Sequence, residues 1–180
     1  LITTALIITA LMLVVGCSSP EPINAEKLIE EDGLMYHPDT KELYSGNVFK
    51  KYLGGKSQLE GSYKDGKRDG LCTEWFRDGQ KWEEGTYKDG KEIEVTRWAY
   101  HMNGQKSFEE TYKDGRKVLE TRWYENGQKK SEETYKDGDL RKETWWYENG
   151  QKEREGIQKD GGLRKETWWY ENGQKEREGI

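Results

Sequence analysis

Trp123-Tyr124-Glu125-Asn126-Gly127-Gln128-Lys129 recurs from Trp146 to Lys152 and again from Trp169 to Lys175. An aromatic pair running into Asn-Gly reads as a strand entering a tight turn, because both turn residues tolerate the positive φ angles of two-residue hairpins. A second turn answers it, Tyr-Lys-Asp-Gly, at Tyr63, Tyr87, Tyr112 and Tyr135. The turn glycines Gly66, Gly79, Gly90, Gly104, Gly115, Gly127, Gly138, Gly150, Gly161 and Gly173 fall 11 to 14 residues apart. Two turns therefore make a unit of about 23 residues, and self-similarity at such a period signals a repeat array. Residues 140–157 recur unchanged at 163–180.

The columns of this alignment predict the fold. Trp75, Tyr100, Trp123, Trp146 and Trp169 occupy one position, and Phe76, His101, Tyr124, Tyr147 and Tyr170 the next. Neighbouring strand residues point to opposite faces, so each face of a sheet receives an aromatic stripe. With eight Trp, eleven Tyr and three Phe in a chain that is 36% charged, aromatics dominate the material for a core. Aliphatic residues are too few after residue 16 for a sandwich or a two-layer α/β domain. The expectation is an all-β protein: an array of antiparallel β-hairpins over residues 34–180, forming an elongated, twisted, single-layer sheet. Roughly a dozen strands at ~4.8 Å each make it about 55 Å long. A two-residue turn at Asn149-Gly150 would pair Tyr147 with Lys152, Trp146 with Glu153 and Trp145 with Arg154. Leu34-Met35-Tyr36 and Leu43-Tyr44-Ser45-Gly46 read as opening strands of an N-terminal cap.

The first residues are of another kind. Leu1 to Val15 carry no charge and end in Gly16-Cys17-Ser18-Ser19-Pro20, a run that is short for a membrane span and suited to the apolar region of a secretory signal. Val14-Val15-Gly16-Cys17 resembles the lipobox of bacterial lipoproteins. That resemblance implies a signal peptide over 1–16 and acylation of Cys17. With Ser18 rather than an aspartate next to it, it also implies sorting to the outer membrane, facing the periplasm. Residues 17–33, with Pro20 and Pro22, read as a flexible tether.

Tyr63-Lys64-Asp65-Gly66-Lys67-Arg68-Asp69-Gly70-Leu71-Cys72-Thr73-Glu74-Trp75-Phe76-Arg77-Asp78-Gly79-Gln80-Lys81 resembles the variant MORN repeat of bacterial proteins labelled YwqK-type antitoxins, and the later units look like further copies. From about residue 92 the second glycine of this pattern gives way to Glu92-Ile93-Glu94-Val95 or Leu140-Arg141-Lys142-Glu143. The resemblance implies a non-enzymatic hairpin array that binds protein or membrane lipid. The antitoxin label implies neutralising a toxin by binding it, which for a periplasm-facing lipoprotein means immunity to a toxin arriving there.

Candidate chemistry is sparse. The two histidines are His37, in an opening turn, and His101, in the aromatic column where a packing residue belongs. With Cys17 acylated, Cys72 is left without an intramolecular disulfide partner and reads as a small apolar strand residue. The sequence supplies no nucleophile–base set, metal-spaced cluster or phosphate loop, so the expectation is no enzyme, no cofactor and no metal. The Asp-Gly turns differ in period from calcium-binding nonapeptide solenoids. A net charge of −5 with interleaved Lys and Glu argues against nucleic acid. The candidate binding residues are Trp98, Trp123, Trp145 and Trp168, set in a Lys/Glu surround that suits a protein partner. Regularly spaced aromatics also resemble the pockets of cell-wall-binding modules, so glycan or lipid-headgroup binding is the alternative.

Overall fold

The computed structural model describes residues 21–158, 162 and 164–180. Cys17 and the expected signal sequence lie outside the described residues. Sixteen strands follow one another: β1 (Ile23–Asn24), β2 (Ile29–Glu31), β3 (Leu34–Tyr36), β4 (Gly46–Lys51), β5 (Ser57–Lys64), β6 (Lys67–Arg68), β7 (Gly70–Trp75), β8 (Lys81–Lys88), β9 (Lys91–Tyr100), β10 (Lys106–Lys113), β11 (Arg116–Trp123), β12 (Lys129–Lys136), β13 (Asp139–Trp146), β14 (Lys152–Gln158), β15 (Arg164–Trp169) and β16 (Lys175–Gly179). One sheet takes them in the order β1-β4-β5-β7-β8 and then strand by strand to β16, with β6 against β5 and with β2-β3 as a separate hairpin. Its ends do not meet, so the expected all-β hairpin array is an open sheet. Every neighbouring pair is antiparallel except β1, which runs parallel to β4.

The two turn types differ in construction. At the Asp-Gly turns both central residues are left-handed, as at Asp137 (φ 56°) and Gly138 (φ 89°), with Lys136 opposite Asp139. These are two-residue type I′ turns, whose twist matches the flanking strands. At the Asn-Gly turns only the glycine is left-handed, as at Gly127 (φ 82°). Tyr124 N–H donates to the Gln128 carbonyl at 2.9 Å, and Gly127 N–H to the Tyr124 carbonyl at 3.0 Å. The loop therefore has three residues, a type I turn followed by a left-handed glycine.

This corrects the pairing expected around Asn149-Gly150. Tyr147 faces Gln151, Trp146 faces Lys152, and Trp145 faces Arg154 as expected. The third loop residue shifts the register by one, and a bulge at Glu153 shifts it back, so the strand beyond keeps its faces. A matching bulge follows the Asp-Gly turns that begin at Asp89, Asp114 and Asp137, and lies at Ile93, Val118 and Arg141 respectively. These bulges fall in the stretch after each turn where the earlier pattern carries its second glycine, Gly70.

Apolar burial is concentrated early in the array. Cys72, Tyr87 and Val95 form a core on β7, β8 and β9, where Gly85 leaves room for them: a Cβ on it would lie 2.7 Å from the Val95 Cγ2. Beyond β9 the buried positions turn polar, with Glu120, Thr121, Ser131, Glu143, Thr144 and Thr167. Residues 21–33, read from composition as part of the tether, fold instead. β1 covers the outer edge of β4, and Met35 N–H reaches the Gly66 carbonyl at 2.9 Å. Covering this edge removes a template for pairing with other chains.

Candidate functional site

Register and alternation divide the side chains from β9 to β16 between two faces. On the first, Trp123 pairs with Lys129, Trp146 with Lys152 and Trp169 with Lys175. Lysines of this face also reach the indole of the next repeat: Lys106 lies 5.6 Å from the Trp123 ring, Lys129 5.8 Å from Trp146, and Lys152 5.4 Å from Trp169. Beneath runs a rung of alternating Glu and Thr, in which Glu132 lies between Thr121 and Thr144, and Glu155 between Thr144 and Thr167. The loop-side bulge puts Lys and Glu three residues apart on this one face. They form ion pairs at Lys81–Glu84 (2.5 Å), Lys106–Glu109 (2.6 Å) and Lys152–Glu155 (3.0 Å), and also at Lys129–Glu132 and Lys175–Glu178.

These pairs set the protonation of the carboxylates. A hydrogen bond from Lys81 holds Glu84 below the usual carboxylate range. Burial pushes Glu155 up, but hydrogen bonds from Lys142 and Lys152 outweigh it and hold it below that range. Glu178, hydrogen-bonded to both Lys165 and Lys175, is drawn down to about 2. An ammonium that shares a carboxylate and an indole face is held in place from two sides.

The opposite face carries arginine instead. Trp145 and Trp168 both pair with Arg154, and Trp168 also with Arg177. The Arg154 guanidinium is 5.6 Å from the Trp145 ring and that of Arg177 3.9 Å from the Trp168 ring. A shallow recess of about 260 Å³ is lined by Trp145, Glu153, Arg154 and Trp168. The Trp145 indole N–H is buried without a hydrogen-bond partner among the described residues.

Next to this ladder Glu110, Glu120, Glu133 and Glu143 stand opposite one another on four consecutive strands. Like charges in direct register repel, and each is offset by its own partner. Tyr112 donates to Glu110 at 3.0 Å, Lys117 and Arg122 pair with Glu120, Tyr135 donates to Glu133, and Arg154 and Arg164 pair with Glu143. Burial together with Glu133 pushes the Tyr135 phenol up to about 12, and burial does the same to Tyr87. The sequence reading passed over this rung. Stacking the repeats at their 23-residue offset would have found its C-terminal members, since Glu120, Glu143 and Glu166 share a column.

The four nominated tryptophans therefore do not form one site. Trp98 and Trp123 lie on the lysine face, where Lys106 sits between their rings and Trp98 donates to Glu109 at 2.8 Å. Trp145 and Trp168 lie on the arginine face. Trp145 and Trp146, adjacent in sequence, belong to different stripes.

Along the loop edge a third ladder links repeat to repeat. The hydroxyls of Tyr124 and Tyr147 donate to the carbonyls of Trp146 and Trp169, 2.9 Å in both cases. His101 makes the same bridge through Nε2 to the Trp123 carbonyl at 3.0 Å, which explains a histidine in that column. Beside them Asn103, Asn126 and Asn149 donate to the carbonyls of Glu125, Glu148 and Glu171 at 2.7 to 2.9 Å. One step departs from the pattern: Phe76 has no hydroxyl, and Asp78 stands where the amide donor would be. A groove of about 360 Å³ lies there, lined by Phe76, Tyr100, His101 and Met102 among others.

Among the described residues no three His, Cys, Asp or Glu are placed to hold a metal. None of their helices is long and apolar enough to cross a membrane.

An open array of antiparallel hairpins with two patterned faces and a laddered edge defines a repeat module. Four stretches, residues 68–89, 118–137, 142–160 and 165–180, are similar to the family described as MORN repeat variant. The first two matched stretches each take in one hairpin and end at the aspartate of the next Asp-Gly turn. No curated protein matches the sequence.

Proposed function

We propose that this chain is a non-enzymatic lipoprotein of the bacterial envelope, anchored through Cys17, whose repeats bind a partner protein across the lysine face. The observation that supports this reading is the stripe of half-buried indoles alternating with Lys106, Lys129 and Lys152 at a spacing of two strands. Strand spacing sets that interval at about 10 Å. Repeats of this kind present binding surfaces that grow by addition of units. Half-exposed tryptophans ringed by paired charges have the composition of a contact centre and its rim.

The test is capture from solubilised envelopes with the acylated full chain as bait. The expected result is one partner retained by wild type and by Trp145→Ala/Trp168→Ala, and lost with Trp123→Ala/Trp146→Ala, with circular dichroism confirming that both variants fold. Loss with the arginine-face pair alone moves the site to that face, and retention of nothing by wild type refutes the reading. The identity of the retained protein separates scaffolding from immunity, since a secreted toxin would make this an immunity protein. Anchoring is read separately, as incorporation of a fatty-acid label that Cys17→Ser abolishes.

A further inference from the structure

Resting on the reading of a protein-binding array, we infer that the loop edge of the first three hairpins is a docking surface for an acidic protein segment bearing an apolar anchor residue. The loops 52–56, 76–80 and 101–105 follow one another along this edge, about 10 Å apart by strand spacing. Their first positions are Leu53, Arg77 and Met102, where the later loops have Glu125, Glu148 and Glu171. Leu53 and Met102 are fully exposed and Phe76 is 40% exposed. Between the second and third loops lies the groove where both ladder bridges are missing, with Gln80 Nε2 to the Gly104 carbonyl (2.7 Å) as a remaining link. The edge of the Phe76 ring meets Tyr100 at 6.3 Å, leaving an aromatic floor for an inserted side chain.

Charge selects the occupant. Lys51 lies over the Phe49 ring, Arg77 over the Tyr52 ring, and Lys56 donates to the Asp78 carbonyl. None of these partners is a carboxylate, so among the described residues three positive charges have no ion pair, against the single loop carboxylate of Asp78, whose Oδ1 accepts from Gln80 N–H. In a chain of net charge −5, a local cationic rim around an apolar groove attracts an anionic segment and orients it. The glutamates on the remaining loops of the same edge confine that attraction to the first three hairpins.

The experiment follows the methyl groups of 13C-methyl-methionine in the full chain while the peptide Glu-Glu-Leu-Phe-Glu-Glu is added. Met102 reports the groove, and Met35 in the N-terminal hairpin is the internal reference. The expected result is a saturable shift of Met102 with Met35 unmoved, weakened about tenfold by Arg77→Glu, as loss of a rim charge implies. Phe76→Tyr, which restores the missing hydroxyl and narrows the groove without disturbing the fold, should weaken it as well. An equal response to Lys-Lys-Leu-Phe-Lys-Lys, equal shifts of both methyls, or no shift overturns the inference. So does a Met102 response to phosphatidylglycerol vesicles in place of the peptide, which makes the occupant a lipid surface, or to protein concentration alone, which makes it a second copy. If the captured envelope partner binds the Arg77→Glu chain with undiminished affinity, this edge is excluded while the protein-binding reading stands. If nothing is captured, the broader reading falls by itself.

Discussion

At the scale of single residues, the tyrosines make the array testable by titration. Tyr87 and Tyr135 are both pushed up to about 12. A phenol raised above its ordinary value of about 10 stabilises the fold fully below that pH and loses its contribution as the pH rises through 12. Phenolate absorbance should show these two ionising last, with stability falling over the same interval. In Glu133→Gln, Tyr135 should ionise earlier and Tyr87 should not change. Asn126 offers a second test, because its amide both donates to the Glu148 carbonyl and accepts from Gln128 N–H. Asn126→Asp keeps the acceptor and loses the donor, so it should cost about 0.5–1.5 kcal/mol by urea denaturation. The place of His101 in the tyrosine column was legible, with packing as its implied role, but its bridge to the Trp123 carbonyl was not. The asparagine ladder was not, because Asn-Gly explains itself as a turn and the donor's target lies 22 residues away.

At the scale of elements, the Asp-Gly turns were legible in position, without the bulges that follow them, and the three-residue build of the Asn-Gly loops was not legible. Asn-Gly suits a two-residue type I′ turn, yet the same three-residue loop forms at Phe76–Gln80, where Asp78 has no amide to bridge to the next repeat; what these loops share is a side-chain oxygen, of Asp78 or Asn126, accepting from the N–H two residues on. The two glycines should answer differently to a methyl group. Gly115 (φ 73°) has open space around it, whereas a Cβ on Gly127 (φ 82°) would meet Gln105 Oε1 at 2.7 Å. Gly115→Ala should cost roughly 1–2 kcal/mol from the left-handed backbone alone, and Gly127→Ala more, with the excess abolished by Gln105→Ala. The Lys–Glu pairs make a pH prediction for the lysine face. Glu84, Glu155 and Glu178 are held below their ordinary values, so their stabilisation is present above about 4.3 and is lost as the pH falls, for Glu178 through about 2. The urea midpoint should drop across this interval, and by less in high salt, since exposed pairs are screened.

At the scale of the molecule, period and sheet were plain in the sequence, but the division of Trp145 from Trp146 between faces became usable only once each bulge was placed. Stability in such an array is a sum over units and their nearest neighbours, and the identity of residues 140–157 with 163–180 allows a clean test. Deleting 140–162 joins Asp139 to Leu163 and yields a chain whose sequence is that of residues 1–157. Glu143 in that chain would keep its ion pair with Arg154, 3.0 Å away in the parent, and lose the one with Arg164. The core at Cys72, Tyr87 and Val95 lies strands away and is untouched. The shortened chain should therefore keep its β-sheet circular dichroism and the exchange protection of β8 and β9 amides. Its urea m-value should fall in proportion to the surface removed. Loss of protection at Val95 would mean that folding is cooperative over the whole sheet, so that the duplicated unit supports the core from a distance. Retained protection would mean that hairpin units can be gained or lost at this end without unfolding the rest, which is what an exact 18-residue repeat requires of the structure that carries it.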